Sequence, residues 1–229
     1  MIVAHDEDLI RSGLRRLLED HDDIDVRDTC RRDAVVESVE KHRPNVVLLG
    51  DEPSREEALA CLAALRRTGP RPRVALLTRA ADERFAADAL LAGADGLLRP
   101  DTSQQNLAHA LRVLCAGSSV LPPAAFRDLL ANLSATTLPA EVRSRAATLT
   151  TRERGVLALL VQGMSNIEMS RELRLSRATV KEHISNIYAK LGTTNRVQAA
   201  VLAHRMGLGH RAEPARHSPA SLQRQVLGA

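Results

Sequence analysis

The sequence predicts two domains of different class, an α/β domain with a parallel sheet followed by an all-α domain of four helices. Over residues 1–116, short apolar runs alternate with amphipathic helical runs. Over residues 149–209, helix-capping signals and apolar stripes recur without a strand pattern. Charge divides the chain similarly, because residues 1–120 contain 17 basic and 21 acidic residues and residues 121–229 contain 15 and 7. The second half is therefore the candidate for binding a polyanion.

Five strand and helix pairs are expected in the first half. The expected strands are 1–4, 24–27, 46–49, 74–78 and a short fifth strand bracketed by Gly93 and Gly96. The expected helices are 8–19, 33–42, 55–67, 82–92 and 103–116. Because strands such as 46–49 are apolar on both faces, helices must cover both sides of the sheet.

Four segments of the first half carry a more specific pattern. They are VAHDEDLIRSGLRRLLE at 3–19, VVLLGDEP at 46–53, LLT at 76–78 and GADGLLRPDTS at 93–103. Together they resemble the receiver domain of response regulators, a flavodoxin-like (βα)5 fold with strand order 2-1-3-4-5. The resemblance implies a pocket at the carboxyl ends of the strands, where acidic residues and an acceptor aspartate hold Mg²⁺. A hydroxyl and a lysine would contact the phosphoryl group there.

The chain departs from this pattern at the positions that carry the chemistry. The matched pocket positions are His5, Asp6, Gly50, Asp51, Thr78, Arg99 and Pro100. His5 stands where the first acid belongs, Gly50 occupies the acceptor position, and Pro100 replaces the lysine. Thr78 matches the hydroxyl position. The family resemblance therefore predicts a degenerate receiver that acts without conventional aspartyl phosphorylation.

Asp51 is the remaining candidate acceptor. A one-residue shift along a strand turns a side chain to the opposite face, so Asp51 needs a bulge or a changed loop to enter the pocket. A regulator phosphorylated on Asp51 stays open as an alternative, as does a set of solvated loop carboxylates. Without phosphorylation, the cleft is expected to take a small-molecule ligand or another protein.

Residues 117–148 form the expected linker, rich in Pro, Ser, Thr and Ala. It contains one short amphipathic helix that begins at Pro123 and has apolar positions at Phe126, Leu129, Leu130 and Leu133.

Four further helices are expected after the linker. Their boundary signals are capping boxes at Thr150 with Glu153 and at Ser165 with Glu168, an N-cap at Ser176, and closing glycines at Gly163 and Gly192. The last helix is expected near 196–206.

The third of these helices suggests DNA recognition. Its apolar stripe is Val180, Ile184, Ile187 and Leu191, and its opposite face is Ala178, Lys181, Glu182 and Ser185. A helix with one buried face and a polar face of this kind suits a major groove about 12 Å wide.

This region also has a family pattern, in LTTRE at 149–153, SNIE at 165–168 and SRATVKEHISNIYAKLG at 176–192. It closely resembles the LuxR/FixJ-type helix-turn-helix domain of NarL-like regulators. The resemblance implies base reading by Lys181, Glu182 and Ser185. It implies backbone contact or a bracing role for Arg177, Lys190 and Arg196. The alternative is that these charges only solvate a helix face.

The expected protein is a cytoplasmic two-component transcription regulator that binds an inverted repeat of double-stranded DNA as a homodimer. It is expected not to be an enzyme and to need no cofactor and no metal.

No apolar run approaches the roughly 18 residues of a membrane span, and the three cysteines show no ligand or disulfide spacing. Residues 210–229 are expected to be disordered. Composition and resemblance together suggest control of a specialised-metabolite gene cluster. An interaction module that sequesters another regulator stays open.

Overall fold

The structure is a computed structural model that describes residues 1–67, 71–79, 83–121 and 140–208. The described residues up to 121 fold around a parallel sheet, and we call residues 1–121 the sheet domain. Its strands are β1 (Ile2–Ala4), β2 (Asp28–Cys30), β3 (Val46–Gly50), β4 (Arg73–Leu77) and β5 (Gly96–Leu98), in the order β2-β1-β3-β4-β5. Every residue of β1 and β3 is buried. The predicted strand order and two-sided burial are confirmed.

Five helices cover the two faces of this sheet. They are α1 (Asp8–Glu19), α2 (Val35–His42), α3 (Arg55–Arg67), α4 (Glu83–Ala92) and α5 (Gln104–Cys115), with a 3₁₀ turn at Arg32–Ala34. One apolar cluster contains Val35, Leu62 and Leu90 from α2, α3 and α4. A second cluster contains Leu18 and Leu107 from α1 and α5. The sheet is thus sealed on both sides, which leaves its strand ends to position functional groups.

Two strands differ from their expected positions. The second strand is Asp28–Cys30 and not 24–27, because its residues pair in register with Ile2–Ala4. The apolar residues at 24 and 26 lie on the approach to the strand, where the amide of Arg27 donates to the Met1 carbonyl. The fifth strand begins at Gly96 and does not lie between the two glycines.

Residues 140–208 form the second part, which we call the helical domain. Its helices are α6 (Ala140–Ala147), α7 (Thr151–Val161), α8 (Asn166–Glu172), α9 (Arg177–Leu191) and α10 (Arg196–Arg205). Both predicted capping boxes are present, with Glu153 donating its backbone N–H to Thr150 Oγ1 and Glu168 donating its own to Ser165 Oγ. Helix α6 was not predicted, since it carries one buried residue, Ala146, and no apolar stripe. The expected helix around Phe126 and the tail 210–229 lie outside the described residues.

The two domains contact each other through α10 and α4. Asn195 caps α10 by accepting from the amide of Gln198 at 2.8 Å, and its Nδ2 donates to the carbonyls of Leu90 and Ala94, both at 2.8 Å. Gln198 Nε2 donates to the carbonyl of Leu91 at 2.8 Å. Asn195 therefore serves both a helix terminus and the contact between domains.

Candidate functional site

Helix α9 has one face in the core and one in solvent. Val180, Ile184 and Ile187 are buried, while Lys181 and Ser185 are exposed. The exposed set also includes Arg177 and Glu182. Ser176 caps the helix by accepting from the amide of Thr179 at 3.0 Å, and Gly192 ends it in the left-handed region at φ 69°. The polar face is thus carried on a rigid element.

A tight turn sets α9 against α8. Arg174 has a φ of 53°, and the amide of Leu175 donates to the carbonyl of Ser170 at 2.9 Å. Arg152 Nη2 donates to the carbonyl of Leu173 at 2.8 Å and ties this turn to α7. The geometry is that of a helix-turn-helix unit whose second helix presents its outer face.

Two of the expected DNA-binding cations have partners inside the domain. Arg196 is buried, and its Nη2 donates to the carbonyls of Leu160 at 3.0 Å and Met164 at 2.5 Å. Lys190 Nζ lies 2.7 Å from Glu153 Oε2. Both side chains brace the packing of α7 against α9 and α10, which was the second role that the family resemblance allowed.

Asp51 lies at the carboxyl end of β3, where the family resemblance places the receiver pocket. Its side chain is buried, and Thr78 Oγ1 donates to its Oδ2 at 2.6 Å. Asp51 directly follows the last residue of β3, and its amide still donates to the carbonyl of Leu77 on β4 at 3.2 Å. The structure therefore joins the Asp51 carboxylate to the hydroxyl that the family resemblance expects in the pocket.

The position of the expected acceptor is closed by a histidine. His5 is buried beside Gly50, and a Cβ atom at position 50 would lie less than 3.0 Å from His5 Cδ2. Burial lowers the pKa of His5, and its Nδ1 accepts from the amide of Glu7 at 3.1 Å. A neutral ring thus fills the space above Gly50.

Asp6 is held by an arginine that sequence reasoning missed. The backbone N of Arg32 donates to Asp6 Oδ1 at 3.0 Å, and its Nε donates to Oδ2 at 2.7 Å. Arg32 is buried and also pairs with Glu57 at 2.9 Å. Burial alone would raise the pKa of Asp6, but the hydrogen bonds from Arg32 outweigh this effect and lower it. The only signal in the sequence was an arginine that follows β2, which is too common to be specific.

These residues do not fit a magnesium site. Both Asp6 oxygens are engaged by Arg32, positions 5 and 50 supply no carboxylate, and the remaining carboxylate, Asp51, accepts from Thr78. Arg99 forms two hydrogen bonds with the exposed Asp101, at 2.9 and 2.8 Å, and Pro100 has no charge to offer. Across the described ranges, no group of three or more His, Cys, Asp or Glu side chains is placed to hold a metal ion.

We expect Gly50→Asp to lower the free energy of unfolding by about 1–3 kcal/mol, because the new side chain must displace the His5 ring. In the double variant that also carries His5→Ala, the total loss of stability should be smaller than the sum of the losses in the two single variants. Gly13→Asp on the open face of α1 is the matched control, with an expected change within about 0.5 kcal/mol. Urea denaturation measures the free energy of unfolding of five proteins, namely the native chain, Gly50→Asp, His5→Ala, the double variant and Gly13→Asp. Additive effects in the double variant would contradict the contact.

Comparison with known proteins gives two family matches. Residues 1–112 match the response regulator receiver domain, and residues 147–203 match the bacterial regulatory proteins of the luxR family. The chain is 30% identical over 218 residues to the transcriptional regulatory protein LnrK of Bacillus subtilis, covering 91% of this chain and 97% of that protein. It is 32% identical over 207 residues to the DNA-binding transcriptional activator DevR/DosR of Mycobacterium tuberculosis, covering 89% and 93%. A crystal structure of Salmonella typhimurium RcsB shares the fold at 20% identity, with a TM-score of 0.50 and coverage of 89% and 96%.

None of the helices in the described ranges has the length and apolar character that a membrane crossing requires.

Proposed function

Since the chain belongs to the response regulators that carry a LuxR-family DNA-binding domain, we propose that it regulates transcription by binding a short inverted repeat as a homodimer. The observation that carries this proposal is the two-sided character of α9, with Val180 and Ile187 in the core and Lys181 and Ser185 in solvent. We divide the chain into a receiver at 1–116, a linker at 117–148 and a DNA-binding domain at 149–209.

Each exposed residue of α9 has a chemical role in this proposal. Lys181 contacts guanine O6 or N7, Glu182 accepts from a cytosine amino group, and Ser185 bonds either type of base edge. Arg177, at the first turn of α9, contacts a phosphate and fixes the register of the helix. Lys190 and Arg196 act indirectly, by holding α9 in place.

Selection of DNA by the full chain from a randomised duplex pool tests this function. We expect enrichment of an inverted repeat with half-sites about one helical turn apart, as two-fold symmetry demands. The purified protein alone should then retard that fragment at physiological salt. Failure to enrich any sequence would reject the proposal and would favour a module that sequesters another regulator.

We further propose that this regulation is independent of conventional aspartyl phosphorylation. Three contacts support this step, namely the His5 ring over Gly50, the Arg32 guanidinium on Asp6, and the pairing of Arg99 with Asp101. Phosphoryl transfer needs an aligned acceptor and cations that neutralise the developing charge. In this pocket, the polar side chains instead form hydrogen bonds and ion pairs with other protein groups.

One observation favours the alternative that Asp51 is the acceptor. The Asp51 carboxylate accepts from Thr78, the residue that matches the family's hydroxyl position, and a displaced acceptor would need this arrangement. The full chain should therefore be incubated with acetyl phosphate and Mg²⁺ and followed by intact mass, with Asp51→Ala alongside. We expect no incorporation in either protein. An added phosphoryl group that is lost in Asp51→Ala would reject phosphorylation independence and leave the DNA-binding function untouched.

The arrangement of the domains supports a gated form of this function. Lys181 and Ser185 line a groove whose far wall is formed by Pro72 and Arg73 of the sheet domain. The groove has a volume of about 560 Å³, which suits a small molecule and is far too small for a duplex. We therefore propose that the domains separate before α9 enters DNA.

A further inference from the structure

The groove between the domains lies at the amino-terminal edge of the sheet, opposite the receiver pocket. Asn45, Arg71 and Arg73 precede or begin strands β3 and β4 and form one wall. Lys181 and Ser185 of α9 form the other wall, and Tyr188 lies further along the same helix. The groove is therefore built by both domains and exists only while they are in contact.

The charge of this groove is one-sided. Its lining includes four cations, Arg66, Arg71, Arg73 and Lys181, and no carboxylate. Arg66 and Arg73 share a single buried acid, Asp95, at 2.5 and 2.8 Å. Within the described ranges, Arg71 and Lys181 form no hydrogen bond and no ion pair. The closed arrangement thus brings uncompensated positive charge from the two domains together, which disfavours closure unless an anion is present.

The groove also contains polar atoms without partners. Asn166 is 3% exposed and lines the groove, and neither its Nδ2 nor its Oδ1 has a hydrogen-bond partner. Thr194 Oγ1 is also buried without a hydrogen-bond partner. Buried amides are almost always satisfied, so an unpartnered one that lines a cavity marks a position where a polar group of a ligand or a water molecule binds.

We propose that the groove binds a compact anion with at least two negative charges, whose charged groups meet Arg71 and Lys181 and whose remaining polar atoms bond Asn166. Because the anion needs both walls and DNA needs Lys181 and Ser185 free, the anion stabilises the closed arrangement and competes with DNA. The competition rests on the proposed function, whereas the binding site itself does not.

Titration calorimetry of the full chain with pyrophosphate and with citrate, at matched ionic strength, tests the site without DNA. We expect one anion per chain, with the better probe showing whether phosphate or carboxylate chemistry is preferred. Arg71→Ala should weaken binding about 10-fold or more, the effect of losing one charge-assisted hydrogen bond. Arg67→Ala is the matched control, an exposed arginine on α3 outside the groove, and should leave binding unchanged. Asn166→Asp, which keeps the shape and adds a negative charge, should abolish binding.

Three calorimetric results overturn the proposal. They are no binding of either probe, equal weakening by Arg71→Ala and Arg67→Ala, or full binding by Asn166→Asp. A second measurement locates the site, because Cys115 also lines the groove. Alkylation of Cys115 by iodoacetamide should slow when pyrophosphate is present, and an unchanged rate would exclude the groove. In a DNA-binding assay, pyrophosphate should weaken operator affinity of the native chain and not of Arg71→Ala. Anion binding without any operator binding would reject the proposed function alone.

Discussion

Replacing Asp95 with alanine is expected to lower the free energy of unfolding by about 3–5 kcal/mol, the usual effect of removing one partner from a buried ion pair. Asp95 is 1% exposed and accepts from three donors. They are Arg66 Nη2 at 2.5 Å, Arg73 Nη1 at 2.8 Å and the amide of Val74 at 2.9 Å. Without the carboxylate, two guanidinium groups stay partly buried at the edge of the sheet with no counter-charge.

Urea denaturation followed by circular dichroism measures this effect in the transition of the sheet domain. Asp101→Ala is the matched control, because Asp101 is exposed and forms a surface pair with the exposed Arg99. Its effect on the free energy of unfolding should be much smaller, because solvent screens exposed pairs. Asp95→Asn, which keeps the shape and one acceptor oxygen, should fall between the two. A loss of less than about 1 kcal/mol in Asp95→Ala would show that water replaces the carboxylate at this edge.

The second large effect concerns DNA. Lys181→Ala should reduce affinity for the selected operator by about 1–3 kcal/mol, a factor of roughly 5 to 150, and should relax preference at one base position of each half-site. Lys181 is exposed on α9, and its removal leaves the buried stripe intact. The fold should therefore be unchanged, which a urea titration would verify.

Lys41→Ala on α2 is the matched control for this experiment, since it also removes an exposed lysine, but from the sheet domain and not from α9. Its operator affinity should equal that of the native chain. Quantitative binding on the operator and on single-base variants separates the possible roles of Lys181. Equal weakening on all sequences would reduce its role to a phosphate contact, and full retention of affinity and preference would remove α9 as the reading element.

Local signals in the sequence predicted local structure well. The capping boxes at Thr150 and Ser165 are present because each depends only on residues three positions apart. The apolar runs likewise placed β3 and β4 within one residue, since burial on both faces leaves few alternatives. Strand β2 was misplaced because its residues alternate weakly and its pairing with β1 is decided across about 26 positions.

Local sequence signals could not predict the long-range contacts that define the receiver pocket and the interface between the domains. Arg32 reaches Asp6 across 26 positions, and Asn195 reaches Leu90 across 105. An arginine and an asparagine occur in many loops, so their types did not single them out. For Asp51, strand alternation suggested a side chain directed away from the pocket, yet its carboxylate accepts from Thr78 although its amide still bonds to the Leu77 carbonyl of β4.

The packing of His5 on Gly50 also orders the paths along which this sequence can evolve. Any side chain at position 50 meets the imidazole, whereas a smaller residue at position 5 meets only an unfilled space. An aspartate at position 50 therefore costs less stability when a smaller residue already stands at position 5. The two sites are epistatic, and the order in which they mutate sets how much stability each step costs.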